Sequence, residues 1–175
     1  AEATGADLYT ASGEQLIAMV ELLVDLQARW VGRIDELLAL GLPDWRAPTL
    51  GIQIAKVLER HSHALSTKDR GALAAFVAGL PARFAALAAC GLRDTLVHGD
   101  FHPGNLRGAG LELTLLDWGD SGVGHPLLDV AAFLSRIPTE AVDEVRAHWI
   151  ALWRAAVPGA EPERAMTLLA PVAAA

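Results

Sequence analysis

This sequence predicts a mainly α fold with one small β-hairpin (α+β). Three observations carry that prediction: apolar residues recur at three- and four-residue intervals over most of the chain, only three short runs read as strands, and Gly and Pro punctuate the rest. The 175 residues fit one domain, 1–175, since chains of roughly 150 residues already bury about 70% of their unfolded surface. No internal repeat or low-complexity linker marks a second one.

The elements follow in order. Ser12-Gly13-Glu14-Gln15 has the spacing of a capping box. Leu16, Val20, Leu23, Leu26, Trp30, Ile34, Leu37 and Leu38 then form one stripe, which predicts a long helix over about residues 12 to 40. Gly41 suits a left-handed C-cap and Pro43 blocks resumption. Ile52, Ile54, Val57 and Leu58 predict a shorter helix from Thr49 to His61. His61-Ser62-His63 at its end is a solvent-facing terminus rather than a metal site, because zinc needs three or four ligands. Ser66 or Thr67 caps a third helix through Val77, and Pro81 kinks it or starts a fourth to Ala89. Thr95-Leu96-Val97 is a strand leading to His98, and Asn105 to Arg107, turned by Gly108-Ala109-Gly110, pairs with a strand in Leu111 to Asp117. Helices follow from Leu128 to Arg136, from Thr139 to Val157 with Trp149 and Trp153 on one face, and from Pro162 onward.

Composition removes several function classes. Apolar residues make up 53% of the chain, yet its most apolar region, Gly71 to Leu92, is interrupted by Pro81 and Arg83. No charge-free run there reaches the roughly 18 residues of a spanning helix, so no membrane segment is expected. Ala1 to Gly5 lacks the basic region of a signal peptide, which makes a cytoplasmic location the expectation. The single cysteine, Cys90, cannot form an internal disulfide or a CxxC site. A net charge of −7 argues against nucleic acid as a partner and mildly favours a cationic small molecule.

The chemistry is concentrated in His98-Gly99-Asp100-Phe101-His102-Pro103-Gly104-Asn105 and in Asp117-Trp118-Gly119. Asp100 and Asn105 have the spacing of the H-R-D-x-x-x-x-N loop, and Asp-Trp-Gly stands where D-F-G would follow. An alcohol-phosphorylating kinase needs this inventory: one carboxylate to orient the hydroxyl, and an amide and a second carboxylate to hold Mg²⁺ on nucleotide phosphates. Asx turn chemistry is the bland alternative for each residue alone. Pro103-Gly104 excludes the helix that an i,i+4 zinc pair of His98 and His102 would need.

HGDFHPGN followed by LLDWGDSGVGHPLLDVA resembles the aminoglycoside phosphotransferase family, the choline-kinase or antibiotic-kinase group of the protein-kinase-like fold. The resemblance implies that Asp100 is the base, that Asn105 and Asp117 are Mg²⁺ ligands, and that ATP or GTP is the phosphoryl donor to a small-molecule alcohol. His102, where protein kinases carry Lys, either contacts the transferred phosphoryl group or packs the loop. His98 bonds loop backbone, and Asp129 matches an Asp that braces the loop. No Gly-rich loop and no Lys paired to a helix Glu occurs, since the only lysines, Lys56 and Lys68, fall on later helices. The chain is therefore expected to be the helical C-terminal lobe alone, inactive by itself and self-associating through an exposed lobe interface. Two rival readings stand beside this one: a non-catalytic helical domain that binds a metabolite or partner, and a metal-dependent hydrolase.

Overall fold

The computed structural model describes residues 5–61 and 65–173. The expectations on residues 1–4 and on Ser62 and His63 lie outside them. Seven helices and six strands run in the order β1 (Ala6–Asp7), α1 (Gly13–Trp30), α2 (Ile34–Ala39), β2 (Asp44–Trp45), α3 (Ala47–His61), α4 (Thr67–Ala88), β3 (Thr95–Val97), β4 (Leu106–Ala109), β5 (Glu112–Leu115), β6 (Gly122–Gly124), α5 (Val130–Leu134), α6 (Val142–Ala156) and α7 (Pro162–Ala173) among the described residues.

The expected fold class, a helical C-terminal lobe with a single hairpin, is corrected by the strands. The β4–β5 hairpin gains β1 from the N-terminal end of the chain, giving an antiparallel sheet in the order β1-β4-β5. A second sheet, β2-β6-β3, pairs β2 parallel and β3 antiparallel to β6. β3 lies where Thr95-Leu96-Val97 reads as a strand; β1, β2 and β6 escape sequence reading because of their length, since runs of two or three residues cannot display a period of two. β6 is Gly-Val-Gly, buried at all three positions, and it follows no propensity at all.

The helices form for local reasons and are trimmed by glycine. Ser12 and Gln15 close the capping box of α1 from both sides, at 3.0 and 3.3 Å. The single helix expected to residue 40 is broken at Gly32, whose φ of +81° takes the chain through a turn before α2. By contrast Pro81 lies inside α4 and ends nothing. By length and composition α4 is the one described helix long and apolar enough to cross a membrane.

The core lies between α1, the Asp100 segment, α5 and α6. Met19, Val20, Phe101, Phe133, Trp149 and Trp153 are all fully buried. Phe101 stacks on Phe133 with ring centroids 4.8 Å apart and meets Trp149 edge-on at 6.0 Å. Burying one such ring contributes roughly 2–3 kcal/mol. The consequence for function is direct, because Phe101 follows Asp100 and nails that loop to the core.

His125 begins the 3₁₀ turn Pro126–Asp129, its Nδ1 accepting from Leu127 N at 3.2 Å. Burial pushes its pKa down to about 4. A histidine kept neutral in the fold while the unfolded chain protonates near pH 6.5 favours folding above that pH, and the gain is lost as pH falls from 6.5 toward 4. Asn can supply the same local acceptor without titrating. The unfolding free energy of the wild type relative to His125→Asn is therefore expected to fall by about 3 kcal/mol between pH 7 and pH 4, measured by urea unfolding at both.

Candidate active site

The loop after β3 is held open at one side by glycine and clamped at the other by a buried carboxylate. Gly99 sits at φ +88°, and a Cβ there would lie 2.0 Å from the Asp120 carbonyl oxygen, so no other residue fits. Asp129 is fully buried. Its Oδ1 accepts from Gly99 N at 2.8 Å and its Oδ2 from His98 N at 3.0 Å and Gln27 Nε2 at 3.2 Å. Burial raises its pKa to about 6, with the two backbone N–H donors pulling the other way. All three partners are donors, so the ionised form suits this clamp.

His98 ties this loop to the strand that precedes Asp117. Its Nδ1 accepts from Asp100 N at 3.3 Å, which leaves Nε2 as the protonated nitrogen, and that N–H donates to the Leu116 carbonyl oxygen at 2.8 Å. One buried ring thus sets the separation of the Asp100 loop from residue 117. Asn105 is joined to the same strand, because Leu116 N donates to the Asn105 carbonyl oxygen at 2.8 Å beyond the last β4–β5 pair, Leu106 with Leu115.

The side chains of Asp100 and Asn105 meet. Asn105 Nδ2 donates to the Asp100 backbone oxygen at 2.8 Å and to Asp100 Oδ2 at 3.2 Å. An amide held by its nitrogen turns its oxygen the other way, and that Oδ1 accepts from no described residue. Arg136 Nη1 donates to Asp100 Oδ1 at 3.3 Å. His102 places Nε2 3.4 Å from Asp100 Oδ2 while its Nδ1 accepts from Gly104 N at 3.0 Å, and Tyr9 stacks on its ring. The Asp100 carboxylate is thereby fixed in direction from both oxygens.

Asp117 stands apart in its backbone. At φ 57°, ψ 64° it is the one non-glycine residue with positive φ among those described, and its carboxylate bonds to none of them. A left-handed aspartate costs roughly 1–2 kcal/mol, strain of the kind that collects at functional sites. No three His, Cys, Asp or Glu side chains cluster as a metal cage among the described residues. The donor set nonetheless suits Mg²⁺, which takes one or two protein oxygens and fills its remaining positions with water and phosphate. A free amide oxygen and a free carboxylate on adjacent strand ends provide those two.

Three contributors were not singled out from the sequence: Gln27, Arg136 and Tyr9. Gln27 had a signal, a polar residue four positions after Leu23 on the buried stripe of α1, where an amide is kept only if something bonds it. Arg136 and Tyr9 had none, since their roles depend on approaches across the fold.

A model of a phosphotransferase enzyme family matches residues 3–166. No curated protein matches significantly. Among solved structures the chain is similar to the aminoglycoside phosphotransferase APH(3'')-Id from Streptomyces rimosus ATCC10970, at 19% identity and TM-score 0.55 over 97% of this chain and 67% of that one. It is similar also to an aminoglycoside-3'-phosphotransferase of type VIII, at 18% and 0.60 over 98% of this chain and 65% of that one. A third likeness is to the macrolide 2'-phosphotransferase MphH from Brachybacterium faecium, at 18% and 0.58 over 95% of this chain and 54% of that one. At these identities the likeness concerns the fold, and the chain spans 54–67% of the length of those proteins. The restriction of the resemblance to a C-terminal lobe is overturned, because the family match begins at residue 3 and the structural matches take in 95–98% of the chain. The segment through β1 and α1, which carries no motif, belongs to the matched domain as much as the Asp100 loop does.

Proposed function

We propose a function from the premise that the chain belongs to the phosphotransferase enzyme family: it takes part in moving the γ-phosphoryl group of ATP or GTP to a hydroxyl of a small molecule. Asp100 receives the hydroxyl proton as the oxygen–phosphorus bond forms and the bond to the nucleoside diphosphate breaks. A carboxylate is too weak a base to strip an alcohol beforehand, so its value lies in orientation and late proton transfer. Asn105 Oδ1 and Asp117 would hold Mg²⁺, which when bound neutralises charge on the phosphates. His98 and Asp129 position the loop, and Arg136 and His102 aim the Asp100 carboxylate.

One observation supports this reading above the others: the unpartnered Asp117 carboxylate on a left-handed backbone, one residue after the Leu116 N–H that bonds the Asn105 carbonyl oxygen. Turn capping would leave the Asp117 side chain bonded to backbone, and it makes no side-chain cap bond. The acceptor class we propose is a cationic amino-alcohol, including aminoglycosides, on the strength of the net charge of −7.

The experiment is ADP or GDP release from Mg²⁺–ATP or Mg²⁺–GTP by the protein carrying this chain, over a panel of amino-alcohols, aminoglycosides and macrolides. Release that depends on an acceptor supports phosphotransfer. Release of inorganic phosphate without any acceptor contradicts it and favours hydrolysis.

A further inference from the structure

β3 separates two ends of the second sheet. Its last residue, Val97, pairs with Gly122 beside the Asp100 loop, and its first, Thr95, pairs with Gly124 beside Asp94 and His125. Extended chain from residue 94 to residue 100 reaches up to about 20 Å. At the Asp94 end lies a cavity of about 460 Å³, enclosed by α2, the start of α3 and the end of α4. That volume is in the range of small-molecule sites.

Leu50, Phe84, Leu87 and Leu92 form its apolar side, while Asp35, Arg93 and Asp94 supply charge beside His125. Asp94 is the informative one. It is half-buried, and its carboxylate forms no hydrogen bond or close ion pair with any described residue. Burial raises its pKa, with Arg46 opposing and Asp44 adding to the shift. Arg46 does not close on it, its Nε and Nη2 being engaged by Asp44 at 2.9 and 2.8 Å. A carboxylate partly withdrawn from water without a bonded partner suits a donor, and apolar side chains adjoin it.

We propose that this cavity is a second binding site, taking a small organic ammonium ion whose charge meets Asp94 and whose apolar body lies against Phe84 and Leu87. Two carboxylates against the one guanidinium of Arg93 leave the lining net negative, which selects against anions. Trp45 gives the site a neighbour. It walls both this cavity and a smaller one of about 290 Å³ that reaches Gly99. An occupant therefore adjoins the residue packed beneath the Asp100 loop. The proposal stands independently of phosphotransfer.

The test titrates 2-phenylethylammonium into the isotope-labelled chain and follows amide chemical shifts. Saturable shifts around Asp35 and residues 87–94 are expected. Asp94→Asn should weaken binding about tenfold, the worth of one charge-assisted hydrogen bond. Ala88→Trp places an indole in the cavity from an exposed position and should abolish binding without disturbing the core. Asp100→Asn should leave it unchanged. Equal binding of 3-phenylpropionate, insensitivity to Asp94→Asn, absence of saturable shifts, or loss of binding in Asp100→Asn would each overturn the proposal.

Discussion

Replacing Asp100 by Asn in the protein that carries this chain is expected to lower kcat by roughly 100- to 10,000-fold while nucleotide KM stays nearly unchanged. The geometry explains why the two constants separate. Asp100 Oδ1 faces Arg136 and Oδ2 faces Asn105 and His102, so the carboxylate is aimed rather than buried. Asn can keep an acceptor toward Arg136 but offers no basic oxygen to the incoming hydroxyl. Its contribution is made in the transition state, where the proton moves, and little of it is felt when nucleotide binds. Steady-state kinetics with saturating acceptor measure both constants, and wild-type turnover would remove Asp100 from the mechanism.

Removing the Asp117 carboxylate is expected to act on metal and nucleotide together. Gly is the informative replacement, because Ala at φ 57° would keep the backbone strain and confuse lost stability with lost ligation. Asp117→Gly should weaken the apparent Mg²⁺ affinity about tenfold or more, since even groups that only support a ligand carry 10- to 100-fold effects. Turnover should fall with it, while the urea midpoint should hold or rise as the left-handed position becomes free of strain. Mg²⁺ titrations of nucleotide binding provide the check. An unchanged Mg²⁺ dependence would count against the assignment.

Much of the site was legible because it is written locally. Asp100, Asn105 and Asp117 fall within eighteen residues of one another, after a strand, in a tight turn and after a second strand, with signals that are short-range. Gly99 announces a backbone that only glycine adopts. The helices were legible where caps and periodicity agreed, as at Ser12 and Gln15. The failures share a cause, which is dependence on distant partners. β1 exists because Ala6 and Asp7 find Gly108 and Arg107 about a hundred residues on, and β6 because Val123 is buried between β2 and β3. The missing motifs predict that the strand-rich N-terminal lobe is absent and say nothing about β1, where two residues suffice to extend a sheet because the partner edge is already formed. Arg136 reaches Asp100 across thirty-six positions, and no spacing rule reports such an approach.

The central claim is that Asn105 and Asp117 act as one magnesium–nucleotide site facing Asp100. Paramagnetic broadening tests it without turnover: Mn²⁺ replaces Mg²⁺, and amide signals of the 175-residue chain are followed with and without ADP. Broadening centred on residues 105 and 117, strengthened by ADP and lost in Asp117→Gly, is the result expected. Broadening that ignores ADP, or that centres on another part of the chain, would contradict the account.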